Sequence, residues 1–332
     1  MPEEHLYVGN FRGADVSVFD MQAKELVATI PMEGEVNGLK IQPDSFGSSP
    51  TEPLIYATRF PDEGDPGRIK EQGEVIAIDA RDHSIVWTMQ VSGQPNHLSV
   101  APDGKRIFVP IRDRNYVEVI DVESQGVVGQ APCGWGPHGT RVSEDGKRLY
   151  VGTMWGDSLS VIDTSSLEIV QRVKFPEAVR PFCVTPDGSK AYVQLSKLHG
   201  FAVVDLAAGE IRQTVHMPIP NSGFADRVDR TAVGTLNHGL EMSHDGQFLY
   251  AAGSATDNVV VYALPSLDIV GVIEVGQEPA WLTLSADGRT LCAANRVEDT
   301  VSFIDTVSMT EVARQGTGVY PNRMGSIVIP TI

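Results

Sequence analysis

A repeat of 42 residues runs along this chain and leaves few architectures open to it. An aspartate closes a strand of alternating apolar residues at four successive positions 42 residues apart: Asp79, Asp121, Asp163 and Asp205. The same slot recurs, with one replacement by alanine, at Asp20, Ala263 and Asp305. Repeats of this length and apolar pattern are typical of the blades of a β-propeller.

Each repeat divides into four strands by its period-two alternation and by the turns between strands. The unit that begins at His97 reads HLSVA, RIFVPI, YVEVIDV and GVVGQAP, and a Pro-Asp-Gly turn separates its first two strands. Aspartate caps such a turn and glycine supplies its positive φ, so the recurring Asp-Gly pairs are predicted to be structural. The inner strands begin near seven residues: Gly38, Leu98, Gly139, Cys183, Gly239, Leu282 and Gly325.

The two ends of the chain are predicted to close the ring together. The last inner strand, GSIVIP, has no strands after it, and the chain opens with three strands that lack an inner partner, LYVGN, DVSVFD and ELVATIP. Their pairing completes a blade and removes free sheet edges. We therefore predict an all-β fold, a seven-bladed β-propeller of four-stranded antiparallel blades closed by the C-terminal strand. It is predicted to be a single domain over residues 1–332, with lid-like insertions at 59–73 and 216–237.

The composition restricts the partners and the compartment. A formal charge of −17 opposes binding to nucleic acid or to an anionic membrane. Cys133, Cys183 and Cys292 are too few and too widely spaced for a disulfide framework, which favours buried thiols. No apolar run reaches the length of a spanning helix and no leader-like segment precedes Leu6. A cytoplasmic protein is expected, unless an export signal has been removed.

The repeat also carries a family resemblance. The segments PDGKRIFVPIRDRNYVEVIDV, EDGKRLYVGTMWGDSLSVIDT and ADGRTLCAANRVEDTVSFIDT resemble the YVTN family of seven-bladed propellers, which is similar in turn to the lactonase-like propellers. The resemblance covers nearly the whole chain and implies the propeller fold. It implies less about function, since the family includes enzymes, surface proteins and proteins of no known activity.

Antiparallel connectivity assigns every loop of a propeller to one of two faces. We call the face on which the inner strands begin the mouth face, and the face that carries the Asp-Gly turns the turn face. Both long insertions fall on the mouth face, and a shorter insertion near Ser45–Pro53 falls on the turn face. Long loops commonly form lids or binding loops, so the mouth face is predicted to be the functional one.

The residues predicted to enter the axis at the starts of the inner strands are Asn37, His97, His138, Phe182, His238, Trp281 and Met324. The three histidines are the chemically informative members of this set. His138 and His238 each lie seven residues before the aspartate of their turn, whereas His97 lies six residues before its own. Because strand side chains alternate in direction, either His97 or Asn96 takes the axial position in that blade.

Three converging imidazoles have three interpretations. They hold a divalent metal, for which Zn, Mn, Fe, Cu and Ni are candidates; they act as acid, base or substrate ligand without metal; or they only hydrogen-bond to neighbouring strands. The spacing of the histidines leaves all three open. No P-loop or dinucleotide fingerprint is present, so no nucleotide cofactor is expected.

Arginines and aromatic residues of the mouth face predict the kind of ligand. A guanidinium binds carboxylate or phosphate in two-point fashion, so a ring of arginines favours a small anionic molecule. Mouth-face aspartates, including Asp113, Asp257 and Asp299, are candidates to neutralise several of these charges. The residues predicted to bind substrate are Arg59, Arg112, Arg180, Arg296, Arg323, Trp135, Trp281, Phe182 and Asn37.

These features together predict an enzyme that acts on a small carboxylate or lactone at the axial mouth. His97, His138 and His238 are its expected metal ligands or catalytic groups, and hydrolysis, cyclisation and elimination all remain open, so that a hydrolase or a lyase is expected. The alternative from a different class is a non-catalytic propeller scaffold that binds a protein partner. The absence of any decisive catalytic motif keeps that alternative open.

Overall fold

The strands of the chain group into seven antiparallel sheets. The computed structural model describes residues 3–32, 35–36, 39–61, 72–219 and 235–329, and within these ranges there are 29 strands and no helix. No helix in these ranges is therefore long and apolar enough to cross a membrane. The centres of both predicted lids, residues 62–71 and 220–234, lie outside the described residues.

Each blade runs from an inner strand at the axis to an outer strand at the rim. Blade 1 contains β29 (Pro321–Ile329), β1 (Glu3–Asn10), β2 (Asp15–Asp20) and β3 (Glu25–Pro31). Blade 2 contains β4 (Glu35–Val36), β5 (Leu39–Ser48), β6 (Leu54–Pro61), β7 (Glu74–Asp79) and β8 (Ile85–Gln90). Blade 3 contains β9 (Ser99–Val100), β10 (Arg106–Ile111), β11 (Tyr116–Asp121) and β12 (Gly126–Pro132).

The remaining four blades follow the same order. Blade 4 contains β13 (Pro137–Val142), β14 (Arg148–Thr153), β15 (Ser158–Asp163) and β16 (Ile169–Lys174). Blade 5 contains β17 (Val179–Val184), β18 (Lys190–Leu195), β19 (Gly200–Asp205) and β20 (Glu210–His216). Blade 6 contains β21 (Leu240–Met242), β22 (Phe248–Gly253), β23 (Asn258–Ala263) and β24 (Asp268–Glu274). Blade 7 contains β25 (Pro279–Leu284), β26 (Thr290–Asn295), β27 (Thr300–Asp305) and β28 (Thr310–Gly316).

The predicted closure of the ring is confirmed. The C-terminal strand β29 pairs antiparallel with the first strand β1, with His5 opposite Ile327 and Tyr7 opposite Gly325. β1 in turn pairs with β2, and β2 with β3, which completes blade 1 from both ends of the chain. The closure gives each of these four strands a partner within the blade.

The core is divided among the interfaces between neighbouring blades. Seven clusters of buried apolar side chains occur in the described residues, and each joins two adjacent blades, including blades 7 and 1. Third strands such as β7 and β11 are buried along their whole centre because they pack against a neighbour on each side. The fourth strands form the outer edge and remain largely exposed.

The recurring aspartates hold the turns of the turn face. At the end of β15, Asp163 Oδ1 accepts hydrogen bonds from the backbone N–H groups of Ser165 and Ser166. In the turn between β17 and β18, Asp187 Oδ1 accepts from Ser189 N, and Gly188 adopts a φ of +67°. These bonds explain why the repeat requires aspartate and glycine at these positions. The three cysteines are free and buried, as expected.

Turn aspartates make the stability of the fold sensitive to acid. Hydrogen bonds from Thr185 and from the backbone lower the pKa of Asp187 to about 2. Because the pKa is lowered on folding, this stabilisation is present above the unfolded pKa near 4 and is lost as the pH falls through the folded value. Asp187→Asn is expected to lower Tm at neutral pH by roughly 1–2 °C. Thermal melts should show that difference shrinking toward pH 2; a constant difference would contradict the assignment.

Candidate active site

The inner strands carry a β-bulge close to the mouth face. In blade 4, Pro137 pairs with Thr153 and Gly139 with Gly152, so His138 has no partner across the ladder. Bulges occur at the corresponding place in blades 1, 2, 5 and 7. Bulges re-aim side chains and are common beside active sites. The residues at this position, which we call the bulge ring, are Asp44, Asn96, His138, Arg180, His238, Ala280 and Asn322.

Three buried histidines, two of them members of this ring, meet at the propeller axis, which we call the axial channel. The ring centroids of His97 and His138 are 4.1 Å apart, and His238 lies 6.0 Å from His138 and 6.5 Å from His97. Trp281 packs edge-on against His97 at 4.9 Å. These four residues come from blades 3, 4, 6 and 7. His97 therefore points into the channel and not into its own blade, although it follows the bulge residue Asn96.

A hydrogen bond across the channel fixes the tautomer of His97. Arg323 Nε, from blade 1, donates to His97 Nε2 at 2.6 Å. A guanidinium only donates, so Nε2 is the acceptor and the proton of the neutral ring lies on Nδ1. Arg323 Nη1 donates to Asn322 Oδ1 at 2.9 Å, and Arg296 Nε donates to the same oxygen at 2.9 Å. One asparagine of the bulge ring thus holds two buried arginines side by side.

His238 has the same tautomer. Its Nδ1 lies 2.9 Å from the carbonyl oxygen of Ala280 in the next blade. A carbonyl only accepts, so Nδ1 carries the proton and Nε2 keeps a lone pair. The hydrogen bond at Nδ1 of His238 thus leaves Nε2 of the same ring as an available base.

The channel keeps its histidines neutral. Burial, followed by the positive charge of Arg323, lowers the pKa of His97, His138 and His238 well below the usual value. All three imidazoles are therefore uncharged at neutral pH. Burial also lowers the pKa of Arg323 to about 9, which leaves the guanidinium charged. The centre of the site combines unprotonated bases with a fixed positive charge.

Four arginines surround the histidines at the mouth. Arg296 and Arg323 are buried, with 1% and 4% of their surface exposed, and Arg112 and Arg180 are partly buried. Arg180 Nε donates to Ser196 Oγ at 2.8 Å, and Arg112 Nη2 donates to Gln94 Oε1. These are neutral partners, so the hydrogen bonds orient the guanidinium groups and leave their charge in place.

Carboxylates compensate part of this charge. Asp113, Asp257 and Asp299, predicted as neutralising partners, accept backbone N–H bonds from the loops that enter the inner strands, at Gln94, Glu278 and Tyr320, and Asp113 also pairs with Arg114 at 2.9 Å. Glu278 Oε1 lies 3.6 Å from Arg296 Nη1. The aspartates hold the mouth loops in place, and the arginine cluster keeps an excess of positive charge.

Asp44 is a residue that the sequence interpretation missed. It is buried in the bulge of β5, where blade 2 was expected to contribute Asn37 to the axis. Burial raises the pKa of Asp44, while Arg323, Arg112 and Arg296 oppose that rise. Asn37 itself lies outside the described residues. The expected turn-face insertion near Ser45–Pro53 is also wrong in its start, since β5 continues to Ser48.

Other predicted site residues lie apart from the cluster. Arg59 is paired with Glu74 on the adjacent strand at 2.8 Å. Phe182 packs in the apolar cluster between blades 4 and 5, 2% exposed. Trp135 lies on the mouth face with 62% of its surface exposed. The structure therefore brings together the three histidines, Trp281 and four of the five predicted arginines.

The donor set does not fit a divalent metal. In the residues that the structure describes, no group of three or more His, Cys, Asp or Glu side chains is arranged to hold an ion. The lone pair of His97 Nε2 accepts from Arg323, and Nδ1 of that ring carries the proton. The surrounding guanidinium charges also repel a cation. We derive no chemical step through a metal.

The fold and the site together are those of a seven-bladed β-propeller with a cationic, histidine-lined site at its axial mouth. The chain belongs to the lactonase family of seven-bladed β-propellers, whose family model matches residues 5–314. No curated protein matches its sequence significantly.

Three solved structures are similar in fold. Hydrazine synthase of Kuenenia stuttgartiensis matches with 20% identity and a TM-score of 0.71, over 89% of this chain and 90% of that one. A putative 6-phosphogluconolactonase of Bacteroides fragilis matches with 15% identity and a TM-score of 0.72, over 98% of each chain. A protein of Lactobacillus plantarum matches with 17% identity and a TM-score of 0.74, over 98% of this chain and all of that one. At these identities the likeness concerns the fold alone.

Proposed function

We propose that this protein is a hydrolase that opens a lactone bearing a carboxylate or another anionic group, and that it does so at the axial mouth without a metal. The observation that carries the proposal is the junction of four arginines with three neutral histidines in one channel. Membership of the lactonase family and the fold of the putative 6-phosphogluconolactonase support a hydrolytic role.

The charge of the channel selects the substrate. Buried guanidinium groups whose positive charge is only partly compensated are unfavourable until an anion neutralises them. Within the described residues, Arg296 Nη2 makes no hydrogen bond although it is buried. An incoming carboxylate satisfies such donors in two-point fashion and is held close to the histidines. Neutral lactones of the same size lack this interaction.

His238 is the general base of the proposed reaction. A water molecule attacks the lactone carbonyl carbon, and its proton passes to His238 Nε2, which has the free lone pair. The carbonyl π electrons move to oxygen and form a tetrahedral oxyanion. The bond between the carbonyl carbon and the ring oxygen then breaks, and the imidazolium returns the proton to the leaving alkoxide. The product is the open hydroxy acid.

Arg323 stabilises the oxyanion. Its Nε and Nη1 are engaged by His97 and Asn322, which fix the plane of the guanidinium. Its Nη2 makes no hydrogen bond to the residues that the structure describes, so it is available to a developing negative charge. A donor held in place before the reaction stabilises the transition state without reorganisation. His97 acts as a positioning residue through Arg323.

The proposal predicts selectivity for anionic lactones and independence from metal. A pH-stat assay should compare carboxylated lactones with their methyl esters, and kcat/KM for the free acids should be at least about 100-fold higher. Dialysis against EDTA should leave the rate unchanged, and Zn²⁺ or Mn²⁺ should not raise it. Metal-dependent turnover would contradict the assigned role of His97. Absence of turnover across the panel would favour the non-catalytic scaffold.

A further inference from the structure

Aromatic rings and arginines form a continuous arc on the mouth face beside the arginine cluster. Trp135 and Trp155 lie 6.0 Å apart, Phe11 lies 5.8 Å from Phe60, and Phe11 lies 6.4 Å from Tyr320. We call these five residues the aromatic arc. They belong to the mouth loops and strand ends of blades 1 to 4.

Arginines join the separate parts of the arc. The Arg112 guanidinium carbon lies 5.5 Å from the ring centroid of Trp155 and 5.9 Å from that of Phe60. Arg12 lies 4.2 Å over Tyr320, and Arg296 lies 5.7 Å over the same ring. Cations at these distances are attracted to the ring faces. Phe60 and Tyr320 are buried, so an anionic aromatic molecule finds both a ring to stack on and a charge to meet at the end of the arc formed by Trp135, Trp155 and Arg112.

The exposed end of the arc is built by the local backbone. Trp155 packs against Gly136, whose φ is +68°, and a Cβ at that glycine would lie 2.8 Å from the indole. Glycine is thus required both for the turn and for the close approach of the ring. Trp155 in turn supports Trp135, of which 62% is exposed. Trp135 is therefore held against Trp155, and the described chain leaves more than half of its surface uncovered.

The arc is connected to the catalytic cluster. Arg296 contacts Tyr320 of the arc, and its Nε donates to Asn322, which also holds Arg323. At the other end of the arc, Arg112 lies 5.5 Å from Trp155, so a ligand stacked there meets an arginine of the same cluster. We infer that the aromatic arc is a substrate subsite, and that the substrates are anions that carry an aryl ring. This inference rests on the proposed function and adds the chemical class of the substrate.

The chemistry separates an aryl anion from other ligands. Stacking on Trp135 and Trp155 requires a planar π face, which saturated rings lack. Electrostatic attraction by Arg112 needs a negative charge on the ligand, which neutral aromatic molecules lack. An aryl anion makes both interactions, whereas a saturated anion or a neutral aryl compound makes only one.

Calorimetric titration of the intact protein tests the subsite with three probes of similar size: 2-naphthoate, decalin-2-carboxylate and naphthalene-2-carboxamide. We expect 2-naphthoate to bind about tenfold more tightly than either of the others. Trp135→Ala should weaken 2-naphthoate about 5- to 10-fold and leave decalin-2-carboxylate unchanged. Val297→Ala, which truncates another exposed apolar residue of the mouth face, is the matched control and should change neither affinity.

The outcomes distinguish this inference from the proposed function. Equal affinity for 2-naphthoate and decalin-2-carboxylate, or an unchanged 2-naphthoate affinity in Trp135→Ala, would overturn the aryl subsite even if lactones are hydrolysed. Trp135-dependent binding of 2-naphthoate without turnover of any lactone would support the subsite and overturn the hydrolase. Because Trp135 is largely exposed, its truncation leaves the fold intact, and a thermal melt verifies this.

Discussion

Replacing His238 by asparagine is expected to reduce kcat for an anionic lactone by about 10²- to 10⁴-fold, the usual contribution of a general base. The asparagine amide retains a donor for the carbonyl of Ala280, which His238 Nδ1 now contacts at 2.9 Å. It lacks the lone pair at Nε2. The substitution therefore removes the base and keeps the hydrogen bond, so KM should change by less than about threefold.

The pH profile gives this experiment a second readout. Burial and Arg323 lower the pKa of His238 well below its usual value, so the wild-type rate should be flat around neutral pH and fall only in more acidic solution. That acidic limb should disappear from the residual activity of the variant. His244→Asn is the matched control, since His244 lies on the turn face and also contacts a backbone carbonyl of the next blade, that of Ser285, through its Nε2. It should leave kcat unchanged; a His238 variant with more than a tenth of wild-type kcat would sink the assignment.

Most of the fold could be predicted because the repeat acts through local chemistry. The aspartate slot and the Asp-Gly turns bond to backbone groups within three residues, so their sequence signal is direct. Closure by β29 followed from counting strands, since three strands at one end and one at the other complete a blade. The repeat does not, however, predict the hydrogen-bond partners of the loops on the mouth face.

The error at blade 2 shows where the interpretation of the site failed. The Asp-Gly turns give the register of the inner strands, but blade 2 replaces that turn by SSPTEP. The start of the second strand is a better reference: Arg148 follows His138 by ten residues, and Phe248 follows His238 by ten. Ten residues before Leu54 is Asp44. The position of the bulge residue is therefore predictable when residues are counted back from the start of the second strand of each blade, and not from the Asp-Gly turn.

Side-chain direction limited the other predictions. Phe182 was placed at the axis by counting, yet the bulge of blade 5 leaves two residues, Arg180 and Pro181, opposite one and turns Phe182 into the interface with blade 4. His97 follows its bulge residue and still reaches the channel, where it meets Arg323 of blade 1, two blades away around the ring. Contacts across the axis join residues more than two hundred positions apart in sequence, and no local pattern encodes them.

Replacing Arg323 by glutamine is expected to lower kcat/KM by about 10²- to 10³-fold, because it removes the donor assigned to the oxyanion and one charge assigned to the substrate. It should also change the pH profile. Arg323 is the leading charged group that lowers the pKa of all three channel histidines, so its removal raises those pKa values toward normal. Since the neutral imidazole is the active form, the acidic limb should move to higher pH.

Arg323→Lys separates the charge from the geometry of the guanidinium. Lysine keeps the positive charge but cannot donate to His97 and Asn322 in the fixed plane that Arg323 uses. Its kcat/KM should fall by a similar factor while the acidic limb stays near the wild-type position. Rate profiles between about pH 4 and 8 measure both effects, and a thermal melt of each variant checks folding. If Arg323→Gln lost activity with no shift of the acidic limb, the guanidinium would have only a structural role; a shift in the glutamine variant alone locates its charge beside the catalytic base.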